Sequence, residues 1–334
     1  MSEEIAVVSP PGMEGRRVLS QDPVNAEAPP DVVARLITPA SHRFVRCHFP
    51  IPDLGDDHPV QVGGAVAQDR VLTLQHLREL PPVTQTTLTE CAGNGRAAFL
   101  PRVEGEQWDC LALSVAQWTG VPLRSVVELR ENAHEVVFTG ADGGAYQRSL
   151  PREVAMDPDT LLAYEMNGSP IPAAFGGPIR LIVPAWYGMA SVKWLARIEA
   201  VEEPFEGEFQ TDRYVYAPGV PVTRIRVKSM FTDVPAAISV GAPARLAGLA
   251  WGGDGIRQVD VEIDGERRPA RLVGPPLPYA WRRFELDWTP ARAGPHVLIC
   301  RATDTQGRSQ PDEPEWNPLG YGNNAVHRIE VVAT

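Results

Sequence analysis

The strongest constraint on how this chain folds is a change of rhythm near residue 220. Beyond it, apolar and polar residues alternate with a period of two. Val259, Val261 and Ile263 alternate with Asp260, Glu262 and Asp264, and Phe284, Leu286 and Trp288 with Glu285 and Asp287. Such alternation turns one face of a strand to a core and the other to water. Asp264-Gly265 is a strong hairpin turn, and residues 297–300 and 329–332 read as further strands. Several short strands punctuated by turns, with no helical stretch, predict a β-sandwich of immunoglobulin type. The boundary falls at 215–225, around Ala217-Pro218-Gly219, and divides the chain into 1–220 and 221–334.

The first part is less regular. Residues 1–40 are polar and proline-rich and read as an arm wrapping the domain. Residues 60–66 resemble a hairpin with a glycine turn, and 72–80 a short helix with Leu74, Leu77 and Leu80 on one side. The β-branched run Thr86-Thr87-Leu88-Thr89 reads as a strand running into a glycine-rich loop. Residues 123–129 read as a helix started by Pro122. A strand at 135–138 precedes the turn Gly140-Ala141-Asp142-Gly143-Gly144. Another, at 178–183, is apolar on both faces except for Arg180, which therefore needs an anionic partner. The 33 prolines, about twice the usual share, are spread through the chain and imply stiff turns between short strands, not a disordered tract. The fold class is α+β: a mixed α/β domain followed by the sandwich.

Charge and composition exclude some functions. The net charge of −11 argues against nucleic acid as a partner. No apolar run approaches the ~18 residues of a transmembrane helix, so no membrane partner is expected. The acidic N-terminus lacks a signal-peptide core, and no apolar region follows Arg16-Arg17. The expected location is cytoplasmic, or periplasmic if a leader has been removed. The four cysteines form no C-x-x-C pair, which argues against structural zinc, and no disulfide framework.

One cysteine stands out. Cys91 lies on a glycine-rich loop at a strand end, with Arg96 five residues on. An exposed loop thiol near a cation is expected to have a depressed pKa, and a thiolate is a soft ligand for a redox-active metal. On these grounds alone, metal ligand, nucleophile and inert thiol are comparable readings.

The segment Glu90-Cys91-Ala92-Gly93-Asn94-Gly95-Arg96 closely resembles the signature around the molybdenum-binding cysteine of the sulfite oxidase family. Further segments follow in that family's order. Phe44-Val45-Arg46-Cys47-His48-Phe49-Pro50-Ile51-Pro52 and Trp118-Thr119-Gly120-Val121-Pro122-Leu123 come on either side of it. Leu161-Leu162-Ala163-Tyr164-Glu165-Met166-Asn167-Gly168 and the run from Val183-Pro184 to Val192-Lys193-Trp194-Leu195 follow. Ala250-Trp251-Gly252-Gly253, and Trp316-Asn317 to Asn323-Asn324, complete it in the second part. The resemblance runs from about Asn25 to Val332, and seven motifs in order are highly specific.

The resemblance implies a cofactor domain, an immunoglobulin-like dimerisation domain and a homodimer. It implies a molybdenum–molybdopterin cofactor whose dithiolene holds the metal, with Cys91 as the single protein ligand. Arg46, Arg96, Trp108 and Tyr214 match the substrate-anion pocket, and His48, Asp142, Arg180 and Lys193 match pterin or phosphate contacts. Cys47, beside His48, lies within the cofactor segment but replaces the family's asparagine. There are three other departures. Glu104 stands where animal members have a lysine, Phe175 where a histidine contacts the pterin, and Leu319 where sulfite-oxidising animal members have a third anion-binding arginine. Loss of that arginine is expected to weaken a dianion by about 1.5–3 kcal/mol. No haem-binding histidine pair is recognisable, so no haem is expected in this chain. The acceptor would be an external electron-transfer protein such as a cytochrome c. The expected function is oxidation of a small oxyanion, sulfite, to sulfate. The alternatives are reduction of nitrate or of an S- or N-oxide on the same cofactor, and a cofactor-free binding protein on the same fold.

Overall fold

The computed structural model describes residues 15–30, 35–143 and 146–334. Gly144, the end of the expected turn after 135–138, and residues 1–14 and 31–34 of the N-terminal arm lie outside them. In the arm, Val18–Gln21 and Val24–Ala26 form a hairpin whose second strand pairs with Val45–Arg46.

Two five-stranded sheets build the rest of the first domain. In one, Leu113–Pro122 lies between Val83–Glu90 and Leu161–Met166, and Leu161–Met166 also pairs with Ser169–Pro170 and Arg180–Ile182. In the other, Leu195–Val201 is central. It pairs in parallel with Val60–Gly64 and antiparallel with Glu135–Gly140, while Arg70–Leu72 and Gln147–Pro151 form the edges. The longest α-helix among the described residues is Leu74–Arg78. The Thr73 side chain caps it by accepting from the His76 amide at 3.3 Å, and it buries Leu74 and Leu77. No helix among the described residues is long and apolar enough to cross a membrane.

Two expectations are corrected. Residues 60–66 are not a self-contained hairpin. Gly64 stays in its strand because a Cβ there would lie 2.2 Å from the Ala200 carbonyl oxygen. That oxygen instead accepts from the Ala65 amide at 2.8 Å, and the hairpin partner is Arg70–Leu72. Residues 123–129 form only a 3-10 turn, Leu123–Ser125, after Pro122. The chain leaves helical geometry at Val126, whose φ is −125°, after that single turn.

The second domain is the expected sandwich. One antiparallel sheet contains Lys228–Asp233, Ala244–Trp251, Arg282–Trp288 and Arg271–Val273. The other contains Glu266–Pro269, Ile256–Ile263, Gly294–Asp304 and His327–Ala333. Asp264 and Gly265 turn the hairpin at φ 50° and 90°, as a type I′ turn requires. The inward residues Phe231, Leu246, Val259, Val261, Phe284 and Leu298 pack between the sheets. The first-domain core continues into Met230, Leu249, Trp251, Trp281 and Tyr321 of the second, so the two domains meet across an apolar contact.

Candidate active site

The Cys91 loop is built where the two domains meet. Val83–Glu90 runs eight register pairs against Leu113–Pro122, and the Cys91 amide extends that ladder to the Ala112 carbonyl at 2.8 Å. Gly95 then reverses the chain at φ +88°. A Cβ there would also press on Asn323, whose amide donates to the Gly95 carbonyl at 2.8 Å. Gly93 leaves room for the Arg96 guanidinium, which folds back to 2.8 Å from where its Cβ would be. Beneath the loop, Glu90 is buried. Its Oε1 accepts from Asn94 at 2.8 Å and its Oε2 from the Trp251 indole at 2.8 Å, with the Lys228 ammonium 3.8 Å away. The Gly322 amide donates to the Ala92 carbonyl at 2.8 Å. Lys228, Trp251, Gly322 and Asn323 all come from the second domain, so the sandwich fixes the position of Cys91.

Cys91 itself is 8% exposed, not the exposed loop thiol expected from sequence. Burial pushes its pKa up, outweighing the pull of Arg46 and Arg96. The neighbouring cations alone therefore do not make it a thiolate. It lines a cavity of about 760 Å³, counting its open mouth, together with Arg46, Cys47, His48, Asp142, Arg180, Lys193 and Tyr214. Eight of the ten residues singled out in the sequence thus surround one space.

The outer wall is a hydrogen-bonded relay. Arg46 Nη2 lies 3.0 Å from His48 Nδ1, and His48 Nε2 lies 2.6 Å from the Tyr214 hydroxyl. Burial first, and then Arg46, drive the His48 pKa down to about 2, so the ring is neutral. The same Arg46 nitrogen also lies 3.4 Å from Nε2, so the guanidinium sits against the neutral ring, and the short contact to Nε2 ties the Tyr214 hydroxyl to it. Tyr214 is held at φ 54° and stacks on Tyr321 at 5.1 Å. Asn25 aims Arg46 from behind. Its Oδ1 accepts from Arg46 Nη1 at 3.2 Å and from the Cys47 amide at 2.9 Å.

The deep end is cationic. Lys193 Nζ donates to the Arg46 carbonyl at 3.0 Å and lies 3.2 Å from Cys47 Sγ. Arg180 is 4% exposed, and its partners are carbonyls: Phe175 at 2.6 Å, Ser191 at 2.8 Å and Leu181 at 3.4 Å. Desolvation lowers its pKa to about 9. The anionic partner expected for Arg180 is thus not a side chain among its bonds. Asp142 adds a buried acceptor, Oδ1, without a hydrogen bond, and burial raises its pKa to about 6.

Two of the ten residues are off the cavity surface. Trp108 is fully buried and packs with Phe44, Cys91 and Ala112, so it backs the thiol. Arg96 is pinned by the carbonyls of Leu319 at 3.1 Å and Glu106 at 3.0 Å, with its guanidinium 5.0 Å from the Tyr321 ring centre. Its Nη2 has no hydrogen bond among the described residues. Of the departures, Glu104 is exposed and Phe175 lines the cavity. Sequence reasoning missed Asn25, Arg43 and Tyr146. Tyr146, whose ring stacks 5.6 Å from that of His48, and Arg43 both line the cavity.

These residues suit a cofactor that brings its own metal ligands. No group of three or more His, Cys, Asp or Glu converges among the described residues, so protein side chains do not form a metal cage there. Cys91 offers one sulfur. The buried, unbonded Asp142 oxygen fits a heterocyclic N–H donor, and the cations fit an anion.

Comparison with known proteins bears on this pocket. Residues 48–209 match the family model described as "Oxidoreductase molybdopterin binding domain", and residues 223–334 that described as "Mo-co oxidoreductase dimerisation domain". The sulfite oxidase of Gallus gallus is 35% identical, over 96% of this chain and 78% of its own length. The mitochondrial sulfite oxidase of Rattus norvegicus is also 35% identical. Its match covers 94% of this chain, which spans 65% of that relative's length. The solved structure of the sulfane dehydrogenase SoxCD from Paracoccus pantotrophus superposes with a TM-score of 0.84 at 29% identity, covering 99% of this chain and 92% of that one.

Proposed function

The chain belongs to the sulfite oxidase family of molybdopterin-dependent oxidoreductases, and from that premise we propose that it oxidises sulfite to sulfate. The observation that carries this reading is the single cavity joining Cys91, the Arg46–His48–Tyr214 relay and the cations at its deep end. Cys91 is the metal ligand. Asp142, Arg180 and Lys193 hold the pterin and its phosphate, and Cys47 and His48 complete that wall. The molybdenum cofactor, when bound, supplies two-electron redox chemistry and oxygen-atom transfer.

The chain's own contribution is placement. Arg46 and the free Nη2 of Arg96 grip the oxyanion through charge-assisted hydrogen bonds, which orient it and stabilise its charge. Tyr214 donates its hydroxyl proton as a hydrogen bond at the reacting end. Trp108 keeps water off the back of Cys91. Sulfite and water give sulfate, protons and an electron pair, and the electrons leave to an external protein such as a cytochrome c. The match to the dimerisation domain supports a homodimer.

Steady-state assays with sulfite and ferricyanide test this. Turnover that depends on molybdenum loading is expected, and a fully loaded protein inert to sulfite rejects the reading. In the same assay Tyr214→Phe is expected to lower kcat/KM by roughly tenfold, the value of a hydrogen bond to a charged group. An unchanged value removes Tyr214 from the site.

A second reading rests on Leu319. It supplies the carbonyl that pins Arg96 but no third cation. A site short of a cation favours a less charged substrate, such as nitrate or an S- or N-oxide in the reducing direction, or a sulfane compound like that in the name of the Paracoccus pantotrophus enzyme. Turnover of one of these, with none of sulfite, selects it. Leu319→Arg leaves the carbonyl in place. It is expected to lower the KM for sulfite by roughly 10-fold or more, and no change in KM places residue 319 away from the anion. A cofactor-free binding protein is the third reading. The unpaired buried charges weigh against it, because they cost stability unless an anion joins them.

A further inference from the structure

Arg43 has no part in the expected set of site residues, yet it is among the most unusual side chains in the molecule. It follows the 3-10 turn Ala40–His42, is 2% exposed and lines the same cavity. Its guanidinium lies 5.2 Å from the Trp118 ring centre and 5.7 Å from that of Phe175. Arg180 lies over the same indole at 4.8 Å. Nε and Nη1 of Arg43 are buried without hydrogen bonds, and no carboxylate pairs with it among the described residues. Burial, together with the like charges of Arg180 and Arg16, lowers its pKa to about 9.

Aromatic faces offset part of the cost of burying a guanidinium. They do not satisfy N–H donors, and they do nothing about a second arginine on the same ring. Lys193, half-buried, brings a third cation to this wall. The Phe175 side chain supplies no polar atom there, and its carbonyl is already taken by Arg180. An arrangement of this kind is stabilised when a multiply charged, acceptor-rich group joins it, and a tetrahedral phosphoryl dianion matches both the charge and the open donors.

We propose that Arg43 is an anchoring residue for the phosphate end of the cofactor, forming with Arg180 and Lys193 a three-cation seat in which the Arg43 guanidinium serves where Phe175 offers no donor. This rests on the cofactor reading above, but one arm of its test does not.

In the first arm, native protein, Arg43→Met and Arg43→Lys are purified from a cofactor-competent host, dialysed at length and analysed for pterin and molybdenum. Native protein is expected to keep both, Arg43→Met to lose most of them, and Arg43→Lys to fall between. The second arm uses the full-length chain from a host that makes no cofactor and probes thermal unfolding with inorganic phosphate. Native protein is expected to gain roughly 2 °C at about ten times the dissociation constant. Arg43→Met removes an uncompensated buried charge. It is expected to melt at or above the native temperature without phosphate and to lose the phosphate gain. A residue that merely packs between Trp118 and Phe175 gives the opposite pattern, a lower melting temperature and an undiminished gain. Cofactor retention equal to native, or a phosphate shift that survives in Arg43→Met, overturns the proposal. If Arg43→Met does not fold, Arg43→Lys decides: a fold without the phosphate shift supports the anchor, and a full native shift with native retention of pterin overturns it. If the native chain carries no molybdenum at all, the proposed function fails, while the phosphate arm still judges Arg43.

Discussion

Glu90→Ala is expected to destabilise the folded chain by about 3–5 kcal/mol, as removal of one member of a buried ion pair does. Lys228 would keep its charge in an apolar setting, while the Trp251 indole and the Asn94 amide would each lose an acceptor. Burial raises the Glu90 pKa, against the pull of Lys228 and the hydrogen bonds from Asn94 and Trp251. Taking the pair out together should therefore cost less than taking out either partner. Glu90→Gln keeps an acceptor for Trp251 and should cost about half as much. Urea unfolding of the three proteins checks this. A loss below about 1 kcal/mol for Glu90→Ala would mean that the network does not hold the domains together. The same substitution should reduce molybdenum content, because Glu90, Lys228 and Asn94 are what fix the loop bearing Cys91.

Cys91→Ser is expected to have the opposite profile. Serine is nearly isosteric, and the backbone bond to Ala112 is unaffected, so stability should change little. Activity should fall by more than the roughly 100-fold typical of losing an outer partner of a metal ligand. A fully active Cys91→Ser protein would falsify the assignment of Cys91 as the ligand. The two substitutions sit at adjacent positions, one acting through the fold and the other through the metal. Measuring stability and turnover on both separates those routes.

Much of this was legible in the sequence for identifiable reasons. Period-two alternation in 259–264 and 284–288 depends on neighbouring residues only, and Asp264-Gly265 has its own turn chemistry. The loop after Glu90 announced itself through Gly93 and Gly95. What could not be read was set by distant partners. Gly63-Gly64 looks like a turn, but the approach of the Ala200 carbonyl is what requires Gly64. Pro122 looks like a helix start, but the chain leaves helical geometry at Val126 after one turn. Cys91 looked exposed because glycine-rich loops usually are, and here Trp108, Phe44 and Ala112 bury it. Arg43 carries no sequence signal of its own. Only the aromatic faces of Trp118 and Phe175, from other parts of the chain, bury it. Motif order conveyed which residues gather around the cavity, while local chemistry conveyed almost nothing about how deeply they are buried.

The placement of Trp108 and Arg96 sharpens the functional account. Neither lines the cavity that Cys91 lines: Trp108 packs against the thiol, and Arg96 is pinned by two carbonyls with one nitrogen free. In the proposed reading the oxyanion meets Arg46 first, because Arg46 lines the cavity and Arg96 does not. This arrangement makes residue 319 the natural place to tune substrate charge.

The most direct test of the central claim is molybdenum analysis with X-ray absorption at the metal edge, on native and Cys91→Ser protein from a cofactor-competent host. Stoichiometric molybdenum in the native protein, and loss of one sulfur neighbour in the variant, is the predicted result. Native protein without molybdenum, or identical sulfur coordination in the two proteins, would contradict it.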